Sequence, residues 1–380
     1  MRIQSRKCSL RALESRSMLA SRLESLKATP TEELLQADEF AELVERETRP
    51  KMYVGFEISG QVHLGTGILS MAKVRDFQRA GFECTIFLAD WHSWLNGKLN
   101  GDLETIREVA GGYFKAALGI GLKSAGGDSE SVKFVMGSQI YDQEYWARLV
   151  NVCKNLTLKR VQRMITIMGR KEGEETNFAQ LVYPPMQIAD IFQLGVHVAQ
   201  GGMDQRKAHV GAREVADKLG LQKPLALHHH LLLGLTASGR SMLPSGGDLT
   251  ELKTELKMSK SKPRSAIFIH DSPEEIERKI MAGYCPEKET ELNPVIDILE
   301  YVVLPVKHRI KIERSQKYGG DFEVRDAAEL KSAYAQGNLH PLDLKISTIR
   351  LLVDLLRPAR EFFEGHRELL SVFPRVQTKE

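Results

Sequence analysis

Between residues 52 and 136 short apolar runs alternate with longer amphipathic ones, and nothing else in the chain constrains its fold as strongly. Met52 to Phe56, Cys84 to Ala89 and Val132 to Met136 have the length and the β-branched or aromatic content of buried strands, while 63–80 and 102–118 repeat apolar residues at helical spacing. Strands separated by helices pair in parallel, so the pattern predicts a doubly wound α/β sheet. From 143 to 219 the reading is mostly helical, with helices at Leu156 to Met168, Phe178 to Leu194 and Met203 to Leu219 and a short strand at Val196 to Ala199. The helices of about 143–182 read as an insertion into the sheet.

Local chemistry suggests the boundaries. Thr29-Pro30-Thr31-Glu32 has the pattern of a helix start, with an N-cap, a proline in first position and a glutamate closing a capping box, and a first domain is expected over 31–262. Ala237 to Lys262 is rich in Gly, Ser and Lys, lacks apolar periodicity and reads as a mobile loop closing that domain. Ser272-Pro273-Glu274-Glu275 is a second capping box, within a mostly α-helical domain over 263–380. That domain is expected to hold a hairpin, Ile310 to Glu313 with Phe322 to Val324, and closing helices from 341 to about 372.

Charge is unevenly placed. The net +3 divides into +5 for residues 1–30 (seven Arg or Lys, two Glu) and −2 for the rest, so the body is not globally basic. The basic extension fits a transit peptide, an RNA-contacting tail or a solvated helix. Apolar runs such as Leu231 to Leu235 are far short of the roughly 18 residues a membrane span needs. The four cysteines are scattered, without CxxC spacing, which fits a reducing, cytoplasmic setting.

Two segments carry chemistry. Tyr53 to Gly65 runs from a strand through a small-residue turn into a helix and places His63 at the helix start, where free backbone N–H groups and the helix dipole favour phosphate. Lys257-Met258-Ser259-Lys260-Ser261 puts two ammonium groups on the expected loop, suited to charge on a leaving pyrophosphate. A lone histidine at a helix start is commonly structural, and a Lys/Ser-rich loop is commonly solvated surface. The pair, His-x-Gly after the first strand and Lys-Met-Ser-Lys-Ser after the last, resembles the two signatures of class I aminoacyl-tRNA synthetases. Tyr53-Val-Gly-Phe-Glu57, Phe87-Leu-Ala-Asp90-Trp-His92, Tyr183-Pro-Pro-Met-Gln187-Ile-Ala-Asp190, Gly201-Gly-Met-Asp-Gln205-Arg-Lys-Ala-His209 and Leu339-His-Pro-Leu-Asp343-Leu-Lys345 resemble archaeal and eukaryotic tyrosyl-tRNA synthetases across about 31–365.

The resemblance implies a Rossmann-like catalytic domain with a C-terminal anticodon-binding domain, activation of L-tyrosine with ATP to tyrosyl-adenylate, and transfer to tRNA(Tyr). Tyr53 and Asp190 would hold the phenolic hydroxyl, Tyr183, Gln187 and Gln205 the ammonium group, and Gly55 would leave room for substrate. Positions 183, 187 and 190 do share one face of a helix. His63, Lys257 and Lys260 would act on the phosphates, with Gly65, Thr66, Gly201, Gly202, Met258, Ser259 and Ser261 completing the ATP site. Magnesium would arrive with ATP, and no protein-ligated metal is expected. Arg163 and Arg206 would lie near the first acceptor-stem base pair, and Tyr318, His340 and Asp343 would read the first anticodon base. The inserted helices would form a homodimer interface; neither DNA nor a membrane is an expected partner. Lys154, Lys159, Arg160, Arg163, Arg170 and Lys171, with no acid between 153 and 171, read either as a phosphate-binding face or as solvated surface.

Two positions depart from the family pattern: Ile58 stands for a usual Pro, and Thr66-Gly67 for a frequent second His. His228-His229-His230 lacks zinc-ligand spacing. Alternative readings are a tryptophanyl-tRNA synthetase, a small-molecule nucleotidyltransferase of the same fold, and a synthetase-like RNA-binding protein with a decayed site.

Overall fold

The computed structural model describes residues 20–170, 173–237 and 249–373. A helix α1 over residues 20–27 precedes strand β1 (Thr31–Leu35), α2 (Ala37–Arg46) and β2 (Lys51–Phe56). A π turn, Gly65–Leu69, leads into α3 (Ser70–Arg79), then β3 (Glu83–Leu88), α4 (Asp90–Leu95), α5 (Leu103–Val109), α6 (Lys115–Ser124) and β4 (Lys133–Met136). Helices α7 (Gln143–Lys154), α8 (Leu158–Met164) and α9 (Phe178–Gln193) are followed by β5 (Val198–Gly202), α10 (Arg206–Leu219) and β6 (Leu225–His229).

The sheet runs β1-β6-β5-β2-β3-β4, parallel throughout except for β1, which is antiparallel to β6. From central β2 the chain builds outward through β3 to β4, then returns to build the other half through β5 to β6. That reversal opens a crevice at the carboxyl ends of β2 and β5. Alternation along the strands sorts the side chains: Met52, Val54, Ile86 and Leu88 join one apolar core, while Tyr53, Phe87 and Ala199 join a second with α7, α9 and α10.

The remaining elements are α11 (Leu249–Leu256), α12 (Pro273–Ala282), α13 (Pro294–Ile298), α14 (Leu304–Lys307), the hairpin β7 (Ile310–Ile312) with β8 (Phe322–Val324), and α15 (Ala327–Ala335), α16 (Pro341–Leu355) and α17 (Arg357–Gly365). Their core is continuous with the first face of the sheet, since Val302 and Leu344 belong to the same cluster as Val54. Arg75 on α3 ties the two regions, donating to Ala125 O and to Pro305 O.

Most of the expected strands and helices are present, and Ser272 caps α12 by accepting the Glu275 N–H. The helix start expected at Thr29 to Glu32 is instead the beginning of β1: Thr31 Oγ1 donates to Leu26 O, and the backbone pairs with β6, whose free edge overrides the local capping pattern. Within the segment read as a tail, α1 is packed on the body. Its C-terminal carbonyls, at Ser25, Leu26 and Ala28, accept from the buried Lys73 ammonium, and Lys73 pairs with Asp76. The stretch read as a loop from 237 to 262 contains α11. Residues 1–19, Lys171 and 238–248 lie outside the described residues.

Candidate active site

The crevice has an apolar-walled end and a cationic end. At the first, α9 is started by an Asn177–Gln180 capping box and carries Tyr183, Gln187 and Asp190 toward β2. Asp190 is 1% exposed. Burial pushes its carboxyl well above the ordinary carboxylate range, and the hydrogen bond from the Tyr145 hydroxyl, 3.0 Å to Oδ1, opposes that rise. Burial, then the Asp190 charge, push the Tyr53 phenol up, so Tyr53 is a neutral donor at pH 7. A Cβ on Gly55 would come no closer than 3.5 Å to Tyr53 and 3.7 Å to Phe87, so packing against these neighbours does not demand glycine there.

Three groups around Asp190 escape a reading of the sequence for roles. The Tyr145 and Tyr141 rings stack at 4.0 Å. The buried Tyr141 hydroxyl faces Asp190 and Tyr145, and Nδ1 of buried His92 has no hydrogen-bond partner. His92 Nε2 sits 3.4 Å from Asp190 Oδ2, and burial pushes the imidazole down to about 3, so it is neutral. Buried polar atoms without partners cost stability unless a ligand or water meets them, which marks this cluster as a candidate site for a hydroxyl-bearing ligand.

Toward the crevice mouth, Gln187 donates to Gln205 Oε1 (3.2 Å) and Gln205 donates to Ile167 O (3.0 Å), which fixes both amides. Burial and then the Glu57 charge push the Tyr183 phenol up. Glu57, held by Asn96 Nδ2 at 2.7 Å, is a carboxylate beside this group and a natural partner for an ammonium ion.

At the cationic end, His63 lies at the start of the π turn. Its Nδ1 accepts the Gly65 N–H (3.1 Å), so the ring proton sits on Nε2, 3.5 Å from Thr66 Oγ1. Burial, then the charges of Lys260 and Lys257, push His63 down to about 3. It is therefore a neutral donor beside the Lys257 and Lys260 amino groups. Gly67, next to the Thr66 that stands for the family's frequent second histidine, has no room for a side chain: a Cβ would come within 2.6 Å of Ile269 Cγ2 and 2.8 Å of Val62 Cγ1.

Lys257 Nζ is 2.5 Å from Asp204 Oδ2, and that charge holds the ammonium above its usual range. Lys260 Nζ donates to Ser59 Oγ (3.1 Å) and lies 4.6 Å over the Phe114 ring; burial brings it down to about 7. Met258 is buried and anchors the segment, while Ser259 and Ser261 hydroxyls are 3.0 Å apart. Both signatures thus meet across the glycine turn. At the end of β5, a Cβ on Gly201 would be 2.8 Å from Gln205 Cβ, which leaves no room for a side chain, while one on Gly202 would be 2.6 Å from the movable end of Leu231.

Other expected positions lie apart from the crevice. Arg163 is exposed on α8; Arg206 is exposed and bound to Glu33 (2.9 Å). The basic face expected around α8 is partly neutralised, because Arg160 pairs with Glu214 on α10 and Arg170 with Glu174. His340 caps α16, accepting the Leu342 N–H, with Asp343 in the first turn. Tyr318 lies in the turn Gln316–Tyr318 of the hairpin. The three consecutive histidines do not converge: His228 faces His209 and Glu33, and His230 faces Glu32 and Asp297. Among the described residues no group of three or more His, Cys, Asp or Glu could hold a metal ion, and no helix is long and apolar enough to cross a membrane.

The family described as tRNA synthetases class I (W and Y) matches residues 45–357, and the chain belongs to it. It is 48% identical over 370 residues to a tyrosine–tRNA ligase of Thermococcus sibiricus, covering 94% of this chain and 99% of the relative. It is 49% identical over 370 residues to that of Pyrococcus furiosus, with the same coverage. Among solved structures it is similar to the tyrosyl-tRNA synthetase of Pyrococcus horikoshii complexed with L-tyrosine: TM-score 0.90, 47% identity, 94% of this chain and 99% of that one.

Proposed function

We propose that this chain is a tyrosine–tRNA ligase, activating tyrosine with ATP and transferring it to tRNA. One observation carries the reading: a buried Asp190 ringed by the Tyr53, Tyr141 and Tyr145 phenols shares its helix with Tyr183, whose neighbour Glu57 also faces Lys257 and Lys260. The phenolic hydroxyl of tyrosine pairs with Asp190 and Tyr53, and its ammonium with Tyr183, Gln187, Gln205 and Glu57. A site whose buried polar groups need that hydroxyl rejects phenylalanine, which leaves them unpaired.

The substrate carboxylate oxygen attacks the α-phosphorus, the bond to the β-phosphate bridge breaks, and pyrophosphate leaves. The chain's work is positioning and charge: His63 Nε2–H, Lys257 and Lys260 meet the charge that develops on the phosphates. The bare backbone at Gly201 and Gly202, with Gly65, Thr66, Met258, Ser259 and Ser261, takes the rest of ATP, and magnesium enters as the ATP complex. A ribose hydroxyl at the tRNA 3′ end then attacks the acyl carbon, releasing AMP. Arg163 and Arg206 serve the acceptor stem; Tyr318, His340 and Asp343 serve the anticodon from the 263–380 domain. The inserted helices pair two copies, and the enzyme works in the cytoplasm.

The test is charging of archaeal total tRNA. A base-labile ester formed from tyrosine, and from neither tryptophan nor phenylalanine, is expected. Charging with tryptophan, or tRNA binding without charging, would contradict the reading.

A further inference from the structure

His230 lies just past β6, is 2% exposed and touches neither end of the crevice. Its Nδ1 is 2.5 Å from Glu32 Oε1, its Nε2 is 2.9 Å from Asp297 Oδ1, and its ring stacks on Tyr301 at 3.7 Å. A ring with both nitrogens on carboxylates donates from both, as an imidazolium does. Burial alone would lower its pKa, but Asp297 and Glu32 outweigh that and raise it to about 9.

Three parts of the chain meet at this ring: β1 through Glu32, the segment leaving β6, and α13 with the turn after it through Asp297 and Tyr301. The second oxygen of Asp297 accepts the Leu233 N–H at 2.8 Å. The same short segment carries the lysine loop, because Met258 N–H donates to Leu232 O (2.6 Å), Gly234 N–H donates to Leu256 O (2.9 Å), and Leu233 bridges to Lys257. Residues 232–234 are thus held on one side by a backbone hydrogen bond to Asp297, the carboxylate that pairs with His230, and hold the loop on the other.

We propose that His230, acting through Asp297, is a positioning residue for amino-acid activation: the pair fixes residues 232–234, and these fix Lys257 and Lys260 over the ATP phosphates. The proposal rests on the reading of those lysines as phosphate ligands. It makes the register of the loop depend on a charged group shared with the C-terminal region.

The charged and titratable groups facing the ring are Glu32, Asp297, Tyr301, neighbouring His229 and, beyond Tyr301, Glu300, which is paired with Lys331 at 2.6 Å. Burial lowers His229 to about 4 and raises the Tyr301 phenol, so both are neutral near pH 7. The His230 pKa is raised in the fold, so the bridge is intact at pH 7 and is lost as pH rises through about 9, while the stability it adds is full only below the ordinary histidine range. A neutral ring donates to one carboxylate only.

The experiment uses the full-length enzyme and its Asp297→Asn and His230→Gln variants, in two readouts. The first is hydrogen exchange at the Met258 and Gly234 amides without substrates, corrected for intrinsic rates, from pH 7 to 10. The second is ATP–pyrophosphate exchange normalised to active sites. Expected are exchange at these amides about tenfold faster in Asp297→Asn at pH 7, a KM for ATP raised about tenfold, and a KM for tyrosine within about twofold. Wild-type protection should fall through about pH 9, and in His230→Gln it should be low at every pH. If Asp297→Asn does not fold, the His230→Gln comparison and the wild-type pH series carry the test. Unchanged amide protection would overturn the link itself. Lost protection with an unchanged KM for ATP would overturn the proposal through the lysines on which it rests.

Discussion

The tyrosine pocket and the phosphate site share one crevice but are built from different contacts. Around Asp190 the polar groups are neutral and delivered by packed helices, the buried Tyr145 from α7, His92 from α4 and Tyr183 from α9, with the half-buried Gln187 beside them on α9. At the phosphate end the groups are cations held by partners that a ligand can replace, Lys257 by Asp204 and Lys260 by Ser59, on a segment hooked to the body through Met258. A preformed cage suits recognition, where an unpaired polar atom enforces the choice of substrate. Exchangeable cations suit a reaction whose charge moves from ATP to pyrophosphate.

The comparison breaks if the two ends fail to separate in kinetics. Removing a phosphate-end group, in His63→Ala or Lys260→Ala, should lower kcat of ATP–pyrophosphate exchange by about 10²–10³ and leave the KM for tyrosine within a factor of about two. Asp190→Ala should do the reverse, lowering kcat/KM for tyrosine by about 10² while leaving the KM for ATP nearly unchanged. Steady-state kinetics with each substrate varied in turn checks both.

A third test sharpens the electrostatic difference. Lys260 titrates at about 7 in the free enzyme, so ATP finds it charged below that pH and must bring a proton with it above. The Kd for ATP should therefore weaken by up to about tenfold per pH unit above 7, and Lys260→Arg should flatten that slope. Tyrosine affinity, which does not depend on Lys260, should not follow it over pH 7 to 8.5; titration calorimetry gives both curves. The smallest effect concerns Gly67. Its Ala variant forces a methyl against Ile269 and Val62, and should cost about 1–3 kcal/mol of stability in thermal unfolding with a kcat loss under about tenfold.

What the sequence made legible was local. Alternating runs give the sheet, and the 183, 187, 190 spacing gives one face of α9, because strand and helix periods are written in consecutive residues. The same capping pattern was right at Ser272 and wrong at Thr29, since β6 offered Thr31–Leu35 an edge that no local pattern records. Contacts from afar were invisible for the same reason. Tyr145 reaches Asp190 across 45 residues and Asp204 reaches Lys257 across 53, so neither pair leaves a spacing. The acid-free run around Arg160 looked basic only because its counterion, Glu214, lies 54 residues away on α10.

The measurement that bears most directly on the central claim is amino-acid-dependent ATP–pyrophosphate exchange by the wild-type protein, run with tyrosine, tryptophan and phenylalanine beside Asp190→Ala. Exchange with tyrosine alone, weakened in the variant through kcat/KM for tyrosine, is the predicted result. Exchange with tryptophan, or tyrosine-dependent exchange indifferent to the loss of Asp190, would contradict the account.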